Sequence, residues 1–131
     1  MGNRANIVFR QENGYLGVYL HSMDANHTQE VAAQALDRVM KAGREDDETY
    51  GTRIAVSEII GGGWDSNYGF GLQAGKTISE AVGDNENDVV VIDFTECVVM
   101  VFGFETGEIE IGGEKERSTF ETFIKTWRAK A

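Results

Sequence analysis

Residues 69–77 read GFGLQAGKT, a segment compatible with two different architectures. As a phosphate loop or dinucleotide turn it would join a strand to a helix inside a parallel βαβ unit. As a glycine-bearing strand it belongs to an antiparallel sheet. A phosphate loop needs Gly, four residues, then Gly-Lys-Ser/Thr. Gly75-Lys76-Thr77 supplies the end, but position 70 is Phe70, and Gly69 and Gly71 each miss by one. The backbone wrap around a phosphate depends on that spacing, so a near miss removes the site. GFGLQA does fit the looser dinucleotide form, which requires a strand before it and a helix after it. Here a helical pattern precedes it and a strand pattern coincides with it. Residues 68–74 therefore predict a twisted strand with glycines at its turns.

Upstream, TYGTRIAVSEII (49–60) suits a helix through Ile54, Ala55, Glu58 and Ile59, or a strand through its β-branched residues; the stop at Gly61-Gly62-Gly63 favours the helix. REDDE (44–48) is a charged connection. Before it, Val31, Ala32, Ala35, Leu36, Val39 and Met40 recur at helical spacing from Asn26 to Gly43. RANIVFR (4–10) and YLGVYLH (15–21) flank Asn13-Gly14 and predict a hairpin. Downstream, KTISEAVGDNEND (76–88) reads as a polar loop with room for one helical turn. Asp88–Asp93 and Cys97–Phe104 are the strongest strand runs, and a turn at 105–108 leads into a further strand, IEIG. Ser118 with Glu121 forms a capping box for a last helix whose apolar face is Phe120, Phe123, Ile124 and Trp127. Lys125, Arg128 and Lys130 suit its C-terminal dipole. The order ββααββββα predicts an α+β fold: a mostly antiparallel sheet, two central helices and a C-terminal helix in a single compact domain over 1–131.

The chain has 131 residues, enough for one core, with 41% apolar residues, 16 Gly and no Pro. Its net charge of −10 argues against binding nucleic-acid polymers, which need a basic footprint. Any anionic ligand must be held by local cations or backbone N–H groups. Cys97 is the single cysteine, which leaves no intrachain disulfide or cysteine zinc site, fits a reducing cytoplasm and reads as a small buried hydrophobe. MGNRAN has no hydrophobic stretch, so no signal peptide is expected, and no run approaches a membrane span.

Catalytic sets are absent from the pattern. There is no GxSxG elbow and no EF-hand spacing. His21 and His27 lack a recognisable metal-ligand spacing, so neither metal nor cofactor is expected. What remains is a binding inventory. Trp64, Tyr68 and Phe70 lie close together in the glycine-rich segment, and aromatic faces there suit base stacking; Phe70 as core and Trp64 as a helix-end cap is the alternative. Arg53, inside an otherwise apolar helix, offers a phosphate fork or simply snorkels. Asn85 offers amide recognition from a loop, as does Asn87, or both are turn residues. Arg4 and Arg117 are further phosphate candidates at positions able to reach an interface.

MGNRANIVF with Tyr19-Leu20-His21, then Tyr50-Gly51-Thr52-Arg53, Gly61-Gly62 and Asp84-Asn85, resembles in order a family of small phage proteins, the Thoeris anti-defence 1 sponges. The resemblance covers about residues 1–93. It implies binding without degradation of cyclic ADP-ribose signals, and in some members of cyclic oligonucleotides. It further implies self-association into dimers or larger oligomers with pockets between subunits, in the cytoplasm of an infected bacterium. It adds His21 to the ligand candidates and implies that the protein is not an enzyme. Two departures concern the ligand: Ser22-Met23-Asp24 replaces a Trp-Asn-Gly, and Ile59-Ile60 replaces an aromatic pair, with Trp64 standing across the turn. An acidic decoy that mimics DNA is the alternative function, and a small hydrolase of the same nucleotide is a third.

Overall fold

β1 (Arg4–Gln11) and β2 (Gly14–His21) form the expected hairpin, in register from Arg4 opposite His21 to Gln11 opposite Gly14. In the computed structural model, which describes residues 4–21, 25–67, 69–83, 85–103, 109 and 113–130, this hairpin forms the second and third strands of a six-stranded sheet. The chain next forms α1 (Ala25–Lys41) and α2 (Glu48–Ile60), and then β3 (Phe70–Gly75) returns antiparallel to β2. A four-residue helix, α3 (Ile78–Ala81), takes the place allowed for a helical turn. β4 (Val89–Asp93) runs parallel to β1, and β5 (Val98–Phe102) and β6 (Glu116–Thr119) add antiparallel. The strand order is β3-β2-β1-β4-β5-β6, and α4 (Phe120–Lys130) follows. This is the α+β fold expected, mostly antiparallel and in a single compact domain.

Period-two alternation sorts the strands onto two faces. Ile7, Phe9, Val18, Leu20, Val90 and Ile92 meet the apolar faces of α1, α2 and α4. Phe94 is stacked on Phe9, with ring centroids 6.3 Å apart, and meets Phe120 edge-on at 5.8 Å. Each such fully buried side chain contributes about 1.5–3 kcal/mol. The other face is covered more thinly, by α3 over Val8, Val91 and Met100. α3 lies so close that a Cβ on Gly17 would overlap the Ala81 carbonyl, and one on Gly75 would overlap Glu80. That contact explains the last glycine of GFGLQAGKT: Gly75 receives a helix.

Two boundaries differ from the sequence reading. Ser118 lies in β6 opposite Val99, and Thr119 takes the cap, its Oγ1 accepting from the Thr122 N–H at 3.2 Å. The edge of β5 offers unpaired backbone groups, and pairing them delays the helix by one residue. Cys97 lies in the turn before β5, with φ 57°. It is half-buried against the helix-side core. The expected strand at 109–112 falls mostly outside the described residues.

Candidate functional site

α2 is positioned by Asp47, whose carboxylate accepts from the Tyr50 N–H at 3.0 Å, and by Gly61, whose N–H closes on the Ser57 carbonyl at 2.8 Å. Its inward side packs on the core through Ala55 and Val56. Thr49, Thr52, Arg53 and Val56, at i, i+3, i+4 and i+7, form a stripe turned toward the β2–β3 ribbon. Between that stripe and Leu16 and Leu72 lies an open cleft of about 300 Å³, lined also by Gln11 and Trp64. Among the described residues, Tyr50, Trp64 and Leu72 are the large apolar side chains left about half exposed; the latter two line this cleft, and Tyr50 follows the lining residue Thr49 on α2.

Trp64 lies in a single 3-10 turn, Gly63–Asp65, that folds the chain back after α2. Its ring meets Phe70 edge-to-face, 5.7 Å apart at 88°. Phe70 itself is half-buried against the core, so it buttresses Trp64 and leaves the indole as the stacking surface. The Arg53 guanidinium sits 5.8 Å from the Tyr50 ring centre, and Arg44 sits 4.7 Å from the same ring. Such cation–π contacts are worth about 0.5–1 kcal/mol at exposed sites. Arg44 is also ion-paired to Asp47 at 3.3 Å. Among the described residues no carboxylate lies in ion-pair range of Arg53. In a chain of net charge −10, that guanidinium is available to an anion.

The other candidates fall elsewhere. Arg4 and His21 are partners at one end of the β1–β2 ladder, and by alternation they share the face opposite the cleft. Asn85 joins them through a structural network. Its Oδ1 accepts from the buried Asn6 amide at 3.1 Å and its Nδ2 donates to the Asn87 carbonyl at 2.6 Å. Asn87 in turn donates to the Arg4 carbonyl at 3.1 Å. Arg117 lies on β6, five strand spacings from β3, or about 24 Å. Its Nε donates to Glu114. The structure thus brings Arg53, Trp64 and Phe70 together, groups Arg4, His21 and Asn85 at a second place, and leaves Arg117 apart. Tyr68 lies outside the described residues.

Two other depressions compete with the cleft. One of about 320 Å³, across β3, is lined by Tyr19, Gly71, Leu72, Gln73 and Gly83 and has no charged lining. One of about 160 Å³, between α1 and α4, contains Trp127, Asp37 and Arg128. There the cation is already paired, Arg128 with Asp37 at 2.7 Å, Asp37 also holds Lys41 at 2.9 Å, and Glu30 adds a further negative charge to the lining. Arg53 gives the α2 cleft a cation not already neutralised by the fold. Gln11, Thr49, Thr52 and Leu72 were missed by sequence reasoning; the α2 stripe was readable as a mixed-polarity helical face, whereas Gln11 sits at an unremarked strand end.

Among the described residues, no helix is long and apolar enough to cross a membrane, and no cluster of three His, Cys, Asp or Glu side chains could hold a metal. No family model, curated protein or solved structure matches the chain. The functional reading therefore rests on the chemistry of the cleft and the sequence motifs.

Proposed function

We propose that the protein binds and sequesters a cyclic ADP-ribose-type nucleotide without degrading it. The observation that carries this reading is the pairing of half-exposed Trp64 with Arg53, free of carboxylates, across one cleft. A purine stacks on the indole, worth about 1–3 kcal/mol. The guanidinium takes phosphate through charge-assisted hydrogen bonds. Leu16, Leu72 and Val56 supply the apolar floor. About 300 Å³ is at the low end of ligand sites, and the cleft opens beside β3, which pairs only with β2 among the described strands. A second copy of the chain closing that side supplies the missing wall, which makes the binding unit a dimer or larger. Arg4, His21 and Asn85 then belong to the subunit boundary, not the cleft. The motif resemblance supports the same reading.

The test is calorimetry and native mass spectrometry with cyclic ADP-ribose linkage isomers, with cyclic oligonucleotides as a parallel set. Bound ligand is then released by heat and analysed by chromatography. Saturable binding with intact ligand recovered is the expected result. A chemically altered ligand means an enzyme, and no binding by any of these probes sinks the proposal.

A further inference from the structure

We propose that Gln11 and Thr52 read the hydrogen-bonding edge of adenine in this cleft and reject a 6-oxo purine; this rests on the nucleotide reading above. Gln11 ends β1 and Thr52 lies on α2, and both line the cleft. The Gln11 Nε2 donates twice, to the Glu48 carbonyl at 3.1 Å and to Thr52 Oγ1 at 2.8 Å. A backbone carbonyl only accepts, so the amide's NH₂ must face Glu48, and the orientation of the group is set by chemistry. Both of its N–H donors are thereby engaged. Oε1 accepts from none of the described residues and is left as a fixed acceptor.

Thr52 supplies the complement. It is 4% exposed. Its Oγ1 accepts from Gln11, and its hydroxyl proton is donated to no described residue, not even to the carbonyl one turn back. The pair therefore presents an acceptor beside a donor. Adenine carries the converse on its N7 edge: the 6-amino donor, with N7 accepting next to it. Hypoxanthine and guanine carry two acceptors on that edge, O6 and N7, which sets acceptor against acceptor at Gln11. A buried polar group left unpaired in this way discriminates strongly, in contrast to a missing methylene. Asn85, expected from sequence to read a base edge, has its amide engaged in the loop network.

The experiment compares cyclic ADP-ribose with its inosine counterpart, on wild type and on Gln11→Met and Thr52→Val, by calorimetry with melting temperatures measured alongside. Wild type is expected to bind the adenine probe at least ~10-fold more tightly, the ratio for one hydrogen bond of about 1.4 kcal/mol. Each variant is expected to narrow that ratio toward one by losing adenine affinity. Equal binding of the two probes by wild type overturns the inference whatever the variants do. So does a wild-type ratio that survives in both variants. Failure of wild type to bind either probe in any linkage isomer, together with no binding of the cyclic oligonucleotides, overturns the nucleotide reading itself. Binding without discrimination overturns this inference alone.

Discussion

β4 and β3 are strands of one sheet with opposite fates. Every residue of β4, Val89–Asp93, is buried, and no residue of β3, Phe70–Gly75, is. VVVID has a branched apolar side chain for each face and lies between β1 and β5, under helices on one side and α3 on the other. FGLQAG has only Phe70 and Leu72 as large apolar side chains, with Gly71, Ala74 and Gly75 small and Gln73 polar, and it lies at the sheet edge. α2 packs beside it but does not cover it. The interior of the sheet thus carries stability, and in the proposed function its β3 edge carries recognition. Substitutions ought to separate the two properties.

The largest effect should come from Asp93. It is fully buried and bonds Arg10 at 3.0 Å, the Thr95 N–H at 2.8 Å and the Thr95 hydroxyl at 2.6 Å. Asp93→Ala leaves the Arg10 guanidinium only its longer contact with Glu96 at 3.4 Å and unpairs three donors, the Thr95 N–H, the Thr95 hydroxyl and the Glu96 N–H, so a loss of about 3–5 kcal/mol is expected in urea denaturation. Affinity of the remaining folded protein should be unchanged; an affinity loss of similar size would break the separation. At the edge the pattern inverts. Arg53→Ala should cost about 1.5–3 kcal/mol of nucleotide affinity, the worth of a charged hydrogen bond, with weaker salt dependence than wild type. Trp64→Ala should cost about 1–3 kcal/mol of affinity. Leu72→Ser, at a side chain 49% exposed, should change stability by less than ~0.5 kcal/mol while still weakening binding. A stability loss above ~2 kcal/mol for Leu72→Ser would show that β3 is structural after all.

The division between the two strands was partly visible in the residues. Strong periodicity in VVVID and in the α1 pattern fixed those elements, because burial on two faces, or on one helical stripe, leaves few alternatives. The failed phosphate-loop spacing correctly turned GFGLQAGKT into strand, yet Gly75 needed the structure, since its neighbour Glu80 packs on it from a different element. Ser118 and Thr119 are chemically equivalent caps, so only the pairing of β6 with β5 chooses between them. Arg53, Trp64 and Phe70 were singled out by unusual chemistry in their segments and do meet. Asn85 was singled out by type alone, and its partner Asn6 lies 79 residues away, a separation that hides the bond. Gln11 was missed for the same reason: its partners sit on α2, and nothing near it in the chain marks its amide as fixed.

The smallest expected effect lies on the covered side, at the seam of α1 and α4. The Lys41 hydrogen bond holds the Asp37 carboxyl below its ordinary value of 3.8; burial opposes this, and the charges of Lys41 and Arg128 reinforce it. A carboxylate depressed on folding contributes stability that is fully present above its unfolded pKa and is lost as pH falls through the folded one. Wild type should therefore lose this contribution as pH falls below about 4, and Asp37→Asn should be flatter over the same window. The pair is near the surface, with the Asp37 side chain 25% exposed, so the difference at neutral pH should stay under ~1 kcal/mol and shrink in salt. Urea denaturation at pH 3 and pH 6 reads it directly. Identical pH slopes for the two proteins would show that the α1–α4 seam is held by Phe123 and Ile124 alone, and the covered half would then owe its stability to apolar burial without electrostatic help.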